Sequence, residues 1–90
     1  MKKQQIQPVD STSELLAKQM ELILFNDDVN SFDFVIDCLV EVCEHDPEQA
    51  EQCAMVAHFK GKCSVKVGSL NELALMNNEL NSRGISTVLA

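Results

Sequence analysis

From Ser31 to Glu44 apolar residues recur at helical spacing, and almost at once a second helix signal begins. Phe32, Val35, Ile36, Leu39, Val42 and Cys43 share one face, while Asp33, Asp37, Glu41 and Glu44 line the opposite one. Ser31 or Asn30 is placed to cap this helix, and Asp33 in its first turn complements the helix dipole. Asp46-Pro47 opens the next helix, with Asp as N-cap and Pro at the first helical position, where its missing N–H costs nothing. The inner face of this second helix is small, built from Ala50, Cys53, Ala54 and Ala57. Such a face either lets the two helices approach closely or leaves a hollow beside them. A helix pair with one apolar side needs a second layer, and the remaining segments must supply it.

Those segments read as strands and one more helix. Met20 to Phe25 becomes strand-like around the run Leu22-Ile23-Leu24-Phe25, Cys63 to Val67 is short and β-like after a turn at Gly61, and Ile85 to Leu89 is the last strand. Ser69-Leu70-Asn71-Glu72 matches a capping box and starts a helix running to about Ser82, with Leu73, Met76 and Leu80 as its stripe. Gly84 stands where a left-handed residue ends a helix. The order β-α-α-β-α-β predicts an α+β fold, a two-layer sandwich with a small three-stranded sheet. Residues 1–17 are polar, with Pro8, Ser11-Thr12-Ser13 and a capping-box match at Ser11 and Glu14, and are expected to be a flexible N-terminal tail ahead of a domain over 18–90.

Ninety residues make one domain. A chain of this size buries only about 60% of its unfolded surface, which leaves little room for an enclosed active-site cleft. Fourteen acidic against seven basic residues give a net charge of −7. That charge repels phosphate backbones and favours basic or amine-bearing partners, so nucleic acid is not expected. Met1-Lys2-Lys3 is followed by no apolar signal segment, and no apolar run spans a bilayer, so the expectation is a cytoplasmic chain with no membrane partner. Cys38, Cys43, Cys53 and Cys63 match no zinc-site spacing and read as small buried hydrophobes. Cys43 and His45 flank Glu44 without a matching second pair, so no metal or other cofactor is expected. Cys53 and His58 share a helix but point roughly 140° apart around its axis, and no third group orients them. No enzyme is expected.

The residues that most resemble a binding site are Asn26-Asp27-Asp28, on the turn that ends the first strand, and His58 downstream. One amide and two carboxylates on a turn are rich in acceptors and suit a small cation, such as the free amino group at a polypeptide N-terminus. The same tripeptide is also ordinary turn and cap chemistry, and a helix-terminal histidine also commonly bonds a nearby carbonyl.

The segment Leu24-Phe25-Asn26-Asp27-Asp28, then Phe32-x-Phe34-Val35-Ile36-Asp37, then Val56-Ala57-His58-Phe59-x-Gly61-Lys62, resembles the bacterial ClpS adaptor family. The resemblance covers about residues 20–89, without gaps from Asn26 to Gly61. It implies the fold just described and a binding role without chemistry of its own. Members bind proteins whose first residue is large and hydrophobic, the N-degron, and deliver them to the unfoldase ClpA, which feeds the ClpP peptidase. By this resemblance Asn26, Asp27 and His58 hold the degron's α-amino group, and Phe32, Val35, Ala54 and Ala57 wall the pocket for its side chain; Asp28 reads as structural, holding the turn or the start of the following helix. Phe32 stands where many members have a gating Met, and Ala54 where they have a larger apolar residue. The stretch from Val67 to Met76, which in the family faces the N-terminal domain of the ClpA-like unfoldase, is shorter than in familiar members. The alternative is a ClpS-like interaction domain whose pocket has diverged toward another partner, since fold alone does not fix function.

Overall fold

The computed structural model describes the backbone of residues 8–90 and the side chains from Thr12 onward. Its elements are α1 (Pro8–Ala17), β1 (Gln19–Phe25), α2 (Phe32–Cys43), α3 (Pro47–Lys60), β2 (Lys62–Ser69), α4 (Leu70–Ser82) and β3 (Thr87–Leu89). β1 lies between β2 and β3 and pairs antiparallel with both. Leu22 and Leu24 on β1 are fully buried beneath α2, α3 and α4 together with Val65, Leu39, Cys43, Ala50, Leu73, Leu80 and Ile85. Alternation along β1 sends Glu21 to the open side. This is the expected α+β sandwich.

The helix ends follow the sequence chemistry. Ser31 caps α2 by accepting the Phe34 N–H at 3.1 Å, Asp46 caps α3 by accepting the Gln49 N–H at 2.9 Å, and Ser69 and Glu72 form a reciprocal capping box on α4. Gly68 lacks a Cβ for a reason, because one built there would meet Glu72 Oε1 at 2.8 Å. α3 runs two residues past His58 to Lys60, where Gly61 takes the left-handed conformation. β2 is longer than Cys63–Val67, and β3 shorter than Ile85–Leu89, since Ile85 leaves the ladder to fill the core.

Two features differ from the sequence reading. Residues 8–17 of the expected flexible tail form helix α1, which contacts α4. Pro8 suits a first helical turn, and Glu14-Leu15-Leu16-Ala17 are strong helix formers once a surface is available; residues 1–7 lie outside the described residues. The second is a β-bulge. Leu22 pairs with Lys66 but Ile23 pairs with Ser64, so Val65 is the extra residue. Its carbonyl leaves the ladder and accepts a hydrogen bond from the buried His45 Nε2 at 2.7 Å. Beside it Lys66 Nζ donates to the Cys43 carbonyl at 2.9 Å, and Glu44 turns left-handed at φ 61° to end α2.

Candidate functional site

At the end of β1 the chain leaves the sheet and needs six residues, Asn26 to Ser31, to reach α2. The turn begins where the Asn26 N–H bonds the Gly61 carbonyl at 3.0 Å, which sets the start of the loop beside the end of α3 and therefore beside His58. Asp27 then builds the loop. Its Oδ1 accepts the backbone N–H of Val29 at 2.9 Å and of Asn30 at 2.7 Å, and its Oδ2 accepts Asn30 Nδ2 at 3.1 Å. These bonds, the Asn30 backbone N–H foremost, hold the Asp27 carboxyl below the ordinary carboxylate value of 3.8 against an opposing desolvation. Asp27 is therefore ionised.

Between this loop, the start of α2 and the inner face of α3 lies a cavity of about 430 Å³, lined by Leu24, Phe25, Asn26, Asp27, Asp28, Asn30, Phe32, Val35, Ala54, Ala57 and His58. All seven residues expected at the site line it. The small face of α3 has left a hollow rather than closed against α2: Ala54 and Ala57 are buried and form its floor. Phe32, about two-fifths exposed, stands at its side. His58 is exposed, with Phe59 packed edge-on at 5.0 Å between ring centroids.

The loop divides the two aspartates differently from the sequence reading. Asp27, expected only as an amine ligand, is the residue that holds the turn, although one lone pair of Oδ2 remains unspent. Asp28, expected to hold the turn or the start of the following helix, lines the cavity with no hydrogen-bond partner among the described residues. Asn30, which the sequence offers only as an alternative helix cap, is a lining residue that grips Asp27, while Ser31 does the capping. No sequence signal separates these choices, because they depend on backbone torsions within one turn.

The cysteines lie elsewhere. Cys38 and Cys43 are in the core, and burial pushes the Cys43 thiol up to about 11. Cys53 and Cys63 are half-buried, and burial with its neighbour Cys63 pushes the Cys53 thiol up to about 12. Thiols so raised are poor nucleophiles. Among the described residues no three Cys, His, Asp or Glu side chains are grouped to hold a metal ion, and no helix is long and apolar enough to cross a membrane.

A family model described as "ATP-dependent Clp protease adaptor protein ClpS" matches residues 16–86. The chain belongs to the ClpS family. Relatives include the ATP-dependent Clp protease adapter protein ClpS of Escherichia fergusonii, 37% identical over 62 residues that cover 64% of this chain and 58% of the relative. The protein of the same name from Cronobacter sakazakii is 38% identical over 61 residues, covering 63% of this chain and 58% of the relative. The chain thus spans 58% of the length of these two curated ClpS relatives. Agrobacterium tumefaciens ClpS2, solved bound to L-phenylalaninamide, superposes with a TM-score of 0.70 at 20% identity, covering 82% of this chain and 96% of that one. The fold is the ClpS fold.

Proposed function

We propose that this chain is an adaptor that binds the free amino group and hydrophobic first residue of N-degron substrates and delivers them to a Clp-family ATP-dependent unfoldase and its protease. One observation carries the reading: a single cavity joins a rim of acceptors, from Asn26, Asp27, Asp28 and His58, to an apolar floor and wall, from Ala54, Ala57, Val35 and Phe32. An α-amino group with a pKa of about 7.7–8.0 is largely cationic at neutral pH and brings three donors. The Asn26 side-chain carbonyl and a neutral ring nitrogen of His58 accept two of them. The carboxylates of Asp28 and Asp27 supply the charge, Asp27 with its one remaining lone pair. An internal peptide bond brings one donor and no charge, and leaves acceptors desolvated and unpaired at about 1–3 kcal/mol each. That penalty separates a chain end from a chain middle.

The unfoldase partner is a AAA+ protein of the Clp family, and the adaptor acts beside it in the cytoplasm. A partner other than a ClpA-like N-terminal domain is favoured by one feature: Ser69 both ends β2 and caps α4, which leaves no loop in the stretch that faces the unfoldase in the family. The adaptor itself performs no catalysis in this scheme.

The test is a binding titration with peptides beginning Phe or Leu, their N-acetylated twins, and His58→Ala. The reading expects acetylation to abolish binding, His58→Ala to weaken it by about tenfold or more, and affinity to fall above about pH 8 as the amine loses its proton. Equal or absent binding of the free and acetylated peptides sinks it.

A further inference from the structure

Asn30 makes contacts that a loop residue beside a helix cap does not need. Its side-chain nitrogen lies 3.1 Å from Asp27 Oδ2 and 2.8 Å from the carbonyl oxygen of Gly84, a residue 54 positions further along the chain. Both neighbours are acceptors, so the amide nitrogen and not its oxygen faces them, and each takes one of the two hydrogens. The Asn30 backbone N–H goes to Asp27 Oδ1 at 2.7 Å. One residue thus grips both carboxylate oxygens of Asp27 and ties them to the turn that follows α4.

That turn is firm. Gly84, at φ +85°, donates to the Asn81 carbonyl at 3.0 Å, and the Ile85 N–H donates to the Leu80 carbonyl at 2.9 Å with its side chain in the core. The neighbouring Arg83 bonds Glu41 on α2 at 2.6 Å and Glu79 on α4 at 2.9 Å. The loop's other long-range hydrogen bond among the described residues, Asn26 N–H to Gly61, sits at its first residue. The Asn30–Gly84 bond therefore anchors its far half.

We infer that Asn30 is a positioning residue of the amine site, and that through it the turn after α4 takes part in reading the amino group; this rests on the free-amine reading of the cavity. Asn30 touches the carboxylate rather than the ligand. It orients the one unspent lone pair of Asp27 Oδ2 toward the cavity and keeps the loop closed over it. Without the side chain, Asp27 keeps its backbone donors on Oδ1 while Oδ2 is free to turn to water. Charge remains, and its direction is lost.

The experiment compares the native chain with Asn30→Ala and Asn30→Asp, using a peptide beginning Phe, its N-acetylated twin and a peptide beginning Ala. The ¹⁵N amide signal of Ile85, which shares a peptide unit with the Gly84 carbonyl, is followed in parallel. Asn30→Ala weakens the free Phe peptide by about tenfold, the worth of a hydrogen bond to a charged group, and leaves the Phe-to-Ala preference unchanged. Asn30→Asp, which faces a carboxylate and a carbonyl with a third acceptor, weakens it further. The Ile85 signal shifts on peptide addition in the native chain, not on addition of the acetylated twin, and not in Asn30→Ala. A purely structural Asn30 lowers the melting temperature without uncoupling Ile85 from the ligand. Should Asn30→Ala fail to fold, Asn30→Ser, which keeps one donor, carries the same comparison with a smaller loss. Native-like affinity or a native-like Ile85 response in a folded variant overturns the inference alone. A native chain that binds neither free nor acetylated peptide overturns the amine-site reading, and this inference with it.

Discussion

At the C-terminal end of α2, Lys66 reaches the Cys43 carbonyl and His45 reaches the carbonyl of the bulged Val65, and His45 is buried. At the N-terminal end of the same helix, Asp28 and His58 face a cavity with no hydrogen-bond partner among the described residues, and both are exposed. The first cluster aims its donors at carbonyls of the fold, because a carbonyl released from a strand ladder inside the protein is costly unless paired. Only His45 Nδ1 stays buried there without a partner among the described residues. The second keeps acceptors unspent at the surface, where water satisfies them cheaply until something better arrives. Asp27 belongs to both kinds, with three bonds committed to the loop. Polar residues near one helix thus sort by what remains to be bonded, not by residue type.

The sharpest way to break this contrast is at the buried end. His45→Ala leaves the Val65 carbonyl unpaired beside a cavity and is expected to cost about 3 kcal/mol of stability in urea unfolding. Peptide affinity of the fraction that folds stays unchanged. His45→Gln, which can place a donor near the same carbonyl, recovers part of the loss. An equal loss of affinity and stability on His45→Ala would show that the two ends are not independent.

Asp27 tests the middle ground. Its folded carboxyl is held below 3.8, so its contribution to stability is complete above that value and is lost as pH falls through the lower folded one. The stability gap between the native chain and Asp27→Asn should therefore be full at neutral pH and close below about pH 4. Asp28→Asn, at a carboxylate without a hydrogen-bond partner among the described residues, should weaken the free-amine peptide and leave stability at neutral pH unchanged.

The smallest effect lies further along β2, two residues beyond Lys66. Gly68→Ala drives a methyl against Glu72 Oε1 and displaces half of the capping box on α4. About 1 kcal/mol of stability is expected to go, the usual worth of a cap, with no change in peptide binding. A change in binding would extend the site to the other end of the sheet.

Much of this was legible in the sequence. The caps at Ser31, Asp46 and Ser69 and the stop at Gly84 are local chemistry, written in residues a turn apart. The seven site residues followed from a resemblance whose intervals hold from Asn26 to Gly61, and all line one cavity. The bulge at Val65 was not legible, because no glycine or proline marks it and His45 comes from 20 residues away. Helix α1 was hidden by polar composition, since its support is the face of α4. The bond from Asn30 to Gly84 depends on two turns far apart in sequence meeting in space.

The hydrogen bond from the Asn26 N–H to the Gly61 carbonyl closes the whole α2–α3 hairpin into one loop. Every residue between them must sum to a path that leaves the sheet and returns to the same point. One residue inserted in α3 before His58 turns the imidazole about 100° around the helix and lifts it about 1.5 Å along it, out of the company of Asn26. Changes of length inside the hairpin are thus expected to break the cavity's rim. In this chain the interval closed by that one bond holds all seven residues of the proposed site.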